Sequence, residues 1–291
     1  MFFEIPTVAL SLGAAFLFSL GAQCQNQGLA ELDSRAGTML TITTSAIIYW
    51  SFAPFYMETA YWLGPGVLIF AGIGLFRPAL SANLAVTGMR YLGPTVSSTL
   101  TSTGPFFGAA LGVLWLGEVL TWQDALGTFG IVAAVILLAK RGGGKSSSWP
   151  LWALALPIAA AAIRSAGHVF TKVGMEYVPD PMFAAVVSFS VSAIIATTAH
   201  TVRKGGPKVR LSAAGPRWFI LAGFVMSTAL LMLNHALLQG TIIEVVPVVA
   251  ISPVFTMMLS VLVFRRERLT SRAVLAVAVV VPSVMIIALS A

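Results

Sequence analysis

Pro105-Phe106-Phe107, followed by Glu118-Val119-Leu120-Thr121, returns in the second half of the chain as Pro253-Val254-Phe255, followed by Glu267-Arg268-Leu269-Thr270. The two separations are 148 and 149 residues. A third pair, Asn83-Leu84-Ala85-Val86 and Asn234-His235-Ala236-Leu237, lies 151 residues apart. Three matches in one order at nearly one spacing mark an internal repeat, with the drift absorbed by loops. The copies divide the chain into residues 1–140 and 150–291, joined by a linker over 141–149 whose Gly, Ser and Lys content suits a tether.

What each copy is made of follows from composition. Apolar residues make up 58% of the chain and charged residues 9%, against roughly 25% charged in a soluble domain. So much apolar surface has to face lipid. A helix needs roughly 20 mainly apolar residues to cross about 30 Å of hydrocarbon at 1.5 Å per residue. Ten stretches qualify: 5–24, 37–57, 63–88, 94–117, 121–139, 150–173, 181–201, 216–238, 245–264 and 269–289. The expected fold is an all-α polytopic membrane protein. Each copy holds five helices, an odd number, so the second copy enters the membrane upside down. The architecture expected is therefore two inverted five-helix repeats, as in many secondary transporters. Cys24 is the only cysteine, which excludes an internal disulfide. The first stretch is long enough to span and has no basic residue before it, unlike a cleaved signal peptide.

Charge gives an orientation. Fourteen of the 17 basic residues fall in or beside the loops after spans one, three, five, seven and nine, and the other three, Arg77, Arg164 and Lys172, lie inside spans. The opposite side carries Glu4, Glu58, Glu118, Asp124, Glu176, Asp180 and Glu244 and no basic loop residue. By the positive-inside rule both termini are expected outside, in the periplasm of a bacterium, with the linker in the cytoplasm. Trp62, Trp115, Trp122, Trp149, Trp152 and Trp218 stand near span ends, as interfacial anchors do. Tyr49 and Trp50 sit deeper and are candidate aromatic contacts.

The run Tyr91-Leu92-Gly93-Pro94, then Ser102-Thr103-Gly104-Pro105-Phe106 and the Leu116-Gly117-Glu118 turn, is echoed by Ile251-Ser252-Pro253-Val254-Phe255-Thr256 and Glu267-Arg268-Leu269-Thr270. Over essentially its whole length this pattern resembles the drug/metabolite transporter superfamily. Within it, the chain is most similar to the ten-helix exporters built from two EamA-type repeats, in particular those for aromatic amino acids and drugs. The second Pro-to-Glu interval is one residue longer than the first. The resemblance implies export of amino acids or small metabolites across a bacterial inner membrane.

The residues themselves nominate a site. A charge at the bilayer centre costs roughly 2.5–3.5 kcal/mol on insertion scales, so intramembrane charges are functional candidates. Arg77, expected near the middle of span three and followed by Pro78, is either a grip for a substrate carboxylate or a donor to carbonyls freed by the proline. Arg164, His168 and Lys172 are spaced i, i+4, i+8 on span six and share one face, which has to look inward. Lys172, near the outer end, can reach the interface. His168 titrates near neutrality when unperturbed, or serves as a hydrogen-bonded structural imidazole. Thr95, Ser98, Thr99 and Ser102 form a polar stripe on span four, lining a path or packing helices. Asn83 and Asn234 match across the repeats and suit interhelical hydrogen bonds. Pro105 and Pro253, read as mid-helix, would bend their spans around a cavity.

The exclusions narrow the reading. No Asp or Glu falls at the centre of a span, where cation antiporters often carry one. Gly144-Lys145-Ser146 is a P-loop fragment with Ala139 in place of the first glycine and no strand before it, so nucleotide binding is rejected. No motif calls for a metal or cofactor, and no paired catalytic groups argue for an intramembrane enzyme. The expectation is a secondary transporter, working as a monomer in the lipid bilayer without nucleic acid. It exports amino acids, aromatic ones included, and related small metabolites by alternating access. Substrate-binding candidates are Arg77, Arg164, His168, Ser98, Thr99 and Ser102. An exporter of flat aromatic cations is the competing reading.

Overall fold

The computed structural model describes residues 5–77, 80–81, 84, 87–88, 91, 100, 103–139, 150–202, 213–263 and 271–289. Among these, eleven α-helices are present. In the first half they are α1 (Thr7–Gly28), α2 (Ser34–Tyr56), α3 (Gly66–Phe76), α4 (Gly104–Leu116) and α5 (Trp122–Ala139). The second half has α6 (Ala155–Tyr177), α7 (Pro181–Val202), α8 (Ala214–Gln239), α9 (Ile242–Val249), α10 (Ser252–Leu262) and α11 (Ser271–Ala288). Five helical stretches are long and apolar enough to cross a membrane: Thr7–Gly28, Leu151–Tyr177, Pro181–Val202, Ala214–Gln239 and Ile242–Leu259.

The expectation of unbroken helices fails at two kinds of place. The ninth span is two helices, α9 and α10, separated at Ala250 and Ile251. The Ile251 N–H donates to Val248 O at 3.2 Å and the Val254 N–H to Ile251 O at 2.8 Å, a tight three-residue turn. The first half makes the same turn, Thr103 N–H to Leu100 O at 3.2 Å and Phe106 N–H to Thr103 O at 3.1 Å. Pro105 and Pro253 therefore open α4 and α10 from the first turn instead of bending a continuous helix. A proline there loses no hydrogen bond, because the first N–H groups of a helix have no partner within it. The third span also stops early. Arg77 is the C-cap of α3 with φ −127° and ψ 134°, not a mid-helix residue. It precedes Pro78, and the ring of a proline forces the residue before it out of the helical region.

Hydroxyls stitch the halves together. From α2, Thr41 Oγ1 donates to Phe219 O at 3.3 Å, Ser45 Oγ to Gly223 O at 3.0 Å and Tyr49 OH to Ser227 O at 2.9 Å. From α7, Ser188 Oγ donates to Phe70 O at 3.1 Å and Ser192 Oγ to Gly74 O at 2.8 Å. Ser19 Oγ of α1 reaches Ser252 O at 2.7 Å, and Ser165 Oγ of α6 reaches Gly104 O at 2.8 Å. Thr41 and Ser188, Ser45 and Ser192, and Ser19 and Ser165 are 146–147 residues apart. Their acceptors are 148–149 apart. The bonds are thus the same bonds, made once by each half. Lipid supplies no hydrophobic drive between helices, so small residues and polar side chains hold them together.

The same contacts give directions. Ascending residues pair with ascending residues between α2 and α8 and between α7 and α3, so those pairs are parallel. Gly13, Gly21 and Gly28 of α1 face Met232, Met226 and Phe219, so α1 and α8 are antiparallel. Gly167 and Gly174 of α6 face Arg77 and Phe70, so α6 and α3 are antiparallel too. Tyr49 of α2 meets Phe189, and Trp62, in the short 3-10 turn that follows the end of α2, meets Phe183 at the start of α7, which sets α2 against α7. Together these place α1 and α6, the first helix of each half, in opposite directions. The repeats are inverted.

Candidate substrate site

The break after α3 delivers Arg77 into the bundle. Its own carbonyl and that of Gly74 both accept from Ser192 Oγ at 2.8 Å, which occupies two carbonyls that the interrupted helix leaves open. The stem of Arg77 lies on α6 at Gly167, where a Cβ would stand 2.6 Å from Arg77 Cδ. Only glycine allows that approach. The guanidinium then meets His168, Nη1 to Nδ1 at 3.4 Å. Arginine has donors and no acceptor, so His168 Nδ1 accepts and the ring carries its proton on Nε2.

Arg164 sits one turn before His168 on the same face of α6. His168 is buried, Arg77 is half-buried and Arg164 is exposed. Among the described residues Arg164 makes no hydrogen bond or ion pair. The level is deep. Arg77 follows eleven residues of α3, roughly 16 Å of helix, and Arg164 lies near the middle of the 23-residue α6.

The described carboxylates stand elsewhere, at helix ends. Asp33 accepts from Ala36 N–H at 2.8 Å and Asp180 from Met182 N–H at 2.7 Å, each opening a helix. Glu244 completes a capping box with Thr241, Asp124 pairs with Thr121 at 2.6 Å, and Glu31 accepts from Gly215 N–H at 2.8 Å. Glu118 caps α9 through Ile242 N–H at 2.8 Å and Ile243 N–H at 3.1 Å. Its other contact is Lys172 at 3.2 Å, and Lys172 also donates to Gly240 O. Lys172 is therefore an ion-paired tie between the α4–α5 turn and the start of α9, not a free cation reaching for the interface, and it is separate from the Arg77 group.

Of the remaining candidates, Asn234 donates to Pro181 O at 3.2 Å, a bond within the second half that joins α8 to the start of α7. Pro105 is buried and Pro253 exposed at their helix starts. Asn83, Thr95, Ser98, Thr99 and Ser102 lie outside the described residues, as do the 140–149 linker and the basic stretches 203–210 and 264–268. Two contributors escaped the sequence reading, Gly167 and Ser192. A signal for Ser192 was there: Ser45-Ala46-Ile47-Ile48 recurs as Ser192-Ala193-Ile194-Ile195, 147 residues on.

The geometry is that of a deep basic group at an interrupted helix, between two inverted halves. A family model described as the EamA-like transporter family matches residues 5–140 and again 151–289. Solved structures match as well. One crystal structure superposes with a TM-score of 0.82 over 98% of this chain and 97% of its own, at 16% sequence identity, which is a likeness of fold. No curated protein matches.

Proposed function

The chain belongs to the EamA-like transporter family, and from that premise we propose that it exports small metabolites bearing a carboxylate, amino acids among them, across a bacterial inner membrane by alternating access. The observation that carries this is Arg77: a guanidinium delivered by a broken helix against His168, one turn from Arg164, with the described carboxylates standing at or beside helix ends. Arginine grips a carboxylate with two parallel N–H donors. A ligand entering from water supplies the charge that the chain withholds. Inverted halves related by a pseudo-twofold axis place such a site near the midplane and let it open to either side by rocking. Its termini face the periplasm in this reading, and a reporter active only there, fused after Ala291, scores positive. A reporter signal confined to the cytoplasm would reverse the orientation.

Flux into proteoliposomes tests the site. Arg77→Gln retains the folded helical bundle and lowers flux of free acids by about 100-fold, the scale of a lost charge-assisted pair, while amides of the same compounds change little. If wild type moves acids and amides equally and the substitution weakens both alike, Arg77 is structural. Flux of flat aromatic cations, with none for any acid, would replace the reading with that of a drug exporter.

A further inference from the structure

We propose that the Arg77–Arg164–His168 group selects net anions, acids that carry no ammonium beside the carboxylate, and dicarboxylates above all. The inference rests on the reading just given and sharpens its substrate class.

The argument is one of charge. Arg77 meets His168 of α6 at 3.4 Å, and Arg164 stands one turn before His168 on the same face of that helix; neither arginine is paired with a carboxylate among the described residues. His168 adds no negative group and, accepting from Arg77, stays a neutral imidazole. The chain has ten acidic residues. Eight are described, and those stand at or beside helix ends: Glu31, Asp33, Glu58, Glu118, Asp124, Glu176, Asp180 and Glu244. The other two, Glu4 and Glu267, precede α1 and α11 in the chain. Among the described residues no carboxylate is therefore available to a substrate ammonium at the level of Arg77.

A zwitterionic amino acid brings one negative and one positive charge into this field. Its ammonium has three donors and no acceptor, so it meets two cations with only neutral oxygens to receive it. Removing the ammonium removes that repulsion and leaves the carboxylate grip intact. A second carboxylate occupies the second arginine fork, which a monocarboxylate leaves empty. Two arginines per site thus match two acid groups per ligand.

Energetics of export agree. A zwitterion gains nothing from the membrane potential and leaves only down its own gradient or by coupling to another, and a central carboxylate, a common device for proton coupling, is absent among the described residues. A net anion leaving an inside-negative cell is driven outward by the membrane potential itself, by roughly fifty-fold in equilibrium ratio per charge for each 100 mV. The missing carboxylate and the surplus arginines then have one explanation.

The test uses the full-length protein in proteoliposomes and matched compounds. Counterflow of 3-phenylpropanoate is compared with that of phenylalanine, which differs by the ammonium alone, and succinate with aspartate. The expected result is at least tenfold faster flux for the member without the ammonium in each pair, with succinate ahead of 3-phenylpropanoate. Under a potassium–valinomycin potential, succinate flux should accelerate toward the positive side. Arg164→Gln should lower the succinate-to-phenylpropanoate ratio about tenfold, and Arg164→Lys, which keeps the charge, should hold most of it. If Arg164→Gln fails to fold, the potential dependence in wild type still decides. Equal or faster flux of the amino acids, or flux indifferent to potential, overturns this inference and leaves the carboxylate reading standing. No flux of any acid removes both.

Discussion

The two halves agree in how their helices touch and differ in what they carry at the centre. Phe70 lies on Gly174 as Phe219 lies on Gly28, and Gly74 is pressed against α7 as Gly223 is pressed against α2. Arg77 lies on Gly167 as Met226 lies on Gly21. At that last pair the chemistry departs. Met226, Phe18 and Ala22 stand at the α1–α8 interface where Arg77, Arg164 and His168 stand at the matching α6–α3 interface, at separations of 146–149 residues. The interrupted α3 has a continuous counterpart in α8, which runs from Ala214 to Gln239 with Ser227 at the position matching Pro78. Backbone contacts are constrained by close packing in both copies, so they stay paired. The charge is confined to one of the two matching interfaces, where the first half supplies Arg77 and the second supplies Arg164 and His168.

Exchanging the central residues is the strongest way to break this comparison. Arg77→Met, which makes the halves alike, should abolish acid flux in proteoliposomes and raise the thermal midpoint in detergent. The reciprocal Met226→Arg should lower stability by about 2–4 kcal/mol, the order of placing a charge at depth without a partner, and yield no flux. Equal stability of the two variants would mean that the second half also presents an open, wet wall.

A smaller effect separates the glycines. A Cβ at Gly167 meets Arg77 Cδ at 2.6 Å and one at Gly21 meets Met226 Cγ at 2.6 Å. Alanine at either position should cost about 1–3 kcal/mol by overpacking, measured by thermal unfolding. Only Gly167→Ala should reduce acid flux, about tenfold, by displacing the guanidinium. Loss of flux in both variants would point to rocking of the halves, not aim of the arginine.

The smallest difference concerns the matched serines. Ser192 serves two carbonyls, Gly74 O and Arg77 O, whereas Ser45 donates to Gly223 O alone. Interhelical hydrogen bonds of this kind average about 0.6 kcal/mol and reach about 1.7. Ser45→Ala should fall near the average with flux unchanged, and Ser192→Ala nearer the maximum, with a two- to fivefold fall in flux. Ser192→Thr, which keeps the hydroxyl, should restore the flux. A Ser192→Ala protein with wild-type flux would show that the end of α3 holds Arg77 unaided.

How much was legible beforehand differs from element to element. The apolar runs and the repeat of Pro-x-Phe and Glu-x-Leu-Thr announce a helical membrane protein in two copies, because lipid demands both length and internally satisfied backbone. Arg77, Arg164 and His168 were visible as costly charges in apolar runs. The stop at Arg77 was visible too, in Pro78, had the pre-proline rule been applied to the span. Pro105 and Pro253 were misread for a related reason: a proline inside an apolar run looks like a kink until the hydrogen bonds show a helix beginning there. Lys172 was misassigned because its partner, Glu118, is distant in the chain.

From sequence alone came the membrane environment, the two-copy helical architecture and the inversion, since these depend on composition and on the parity of spans. Tertiary structure alone decided that Arg77 rests on Gly167 and donates to His168, that Ser192 closes the broken end of α3, and that Lys172 belongs to Glu118. Such pairings join residues 54 to 115 positions apart. No local period encodes them, because they are set by which helix faces meet once the inverted halves have packed.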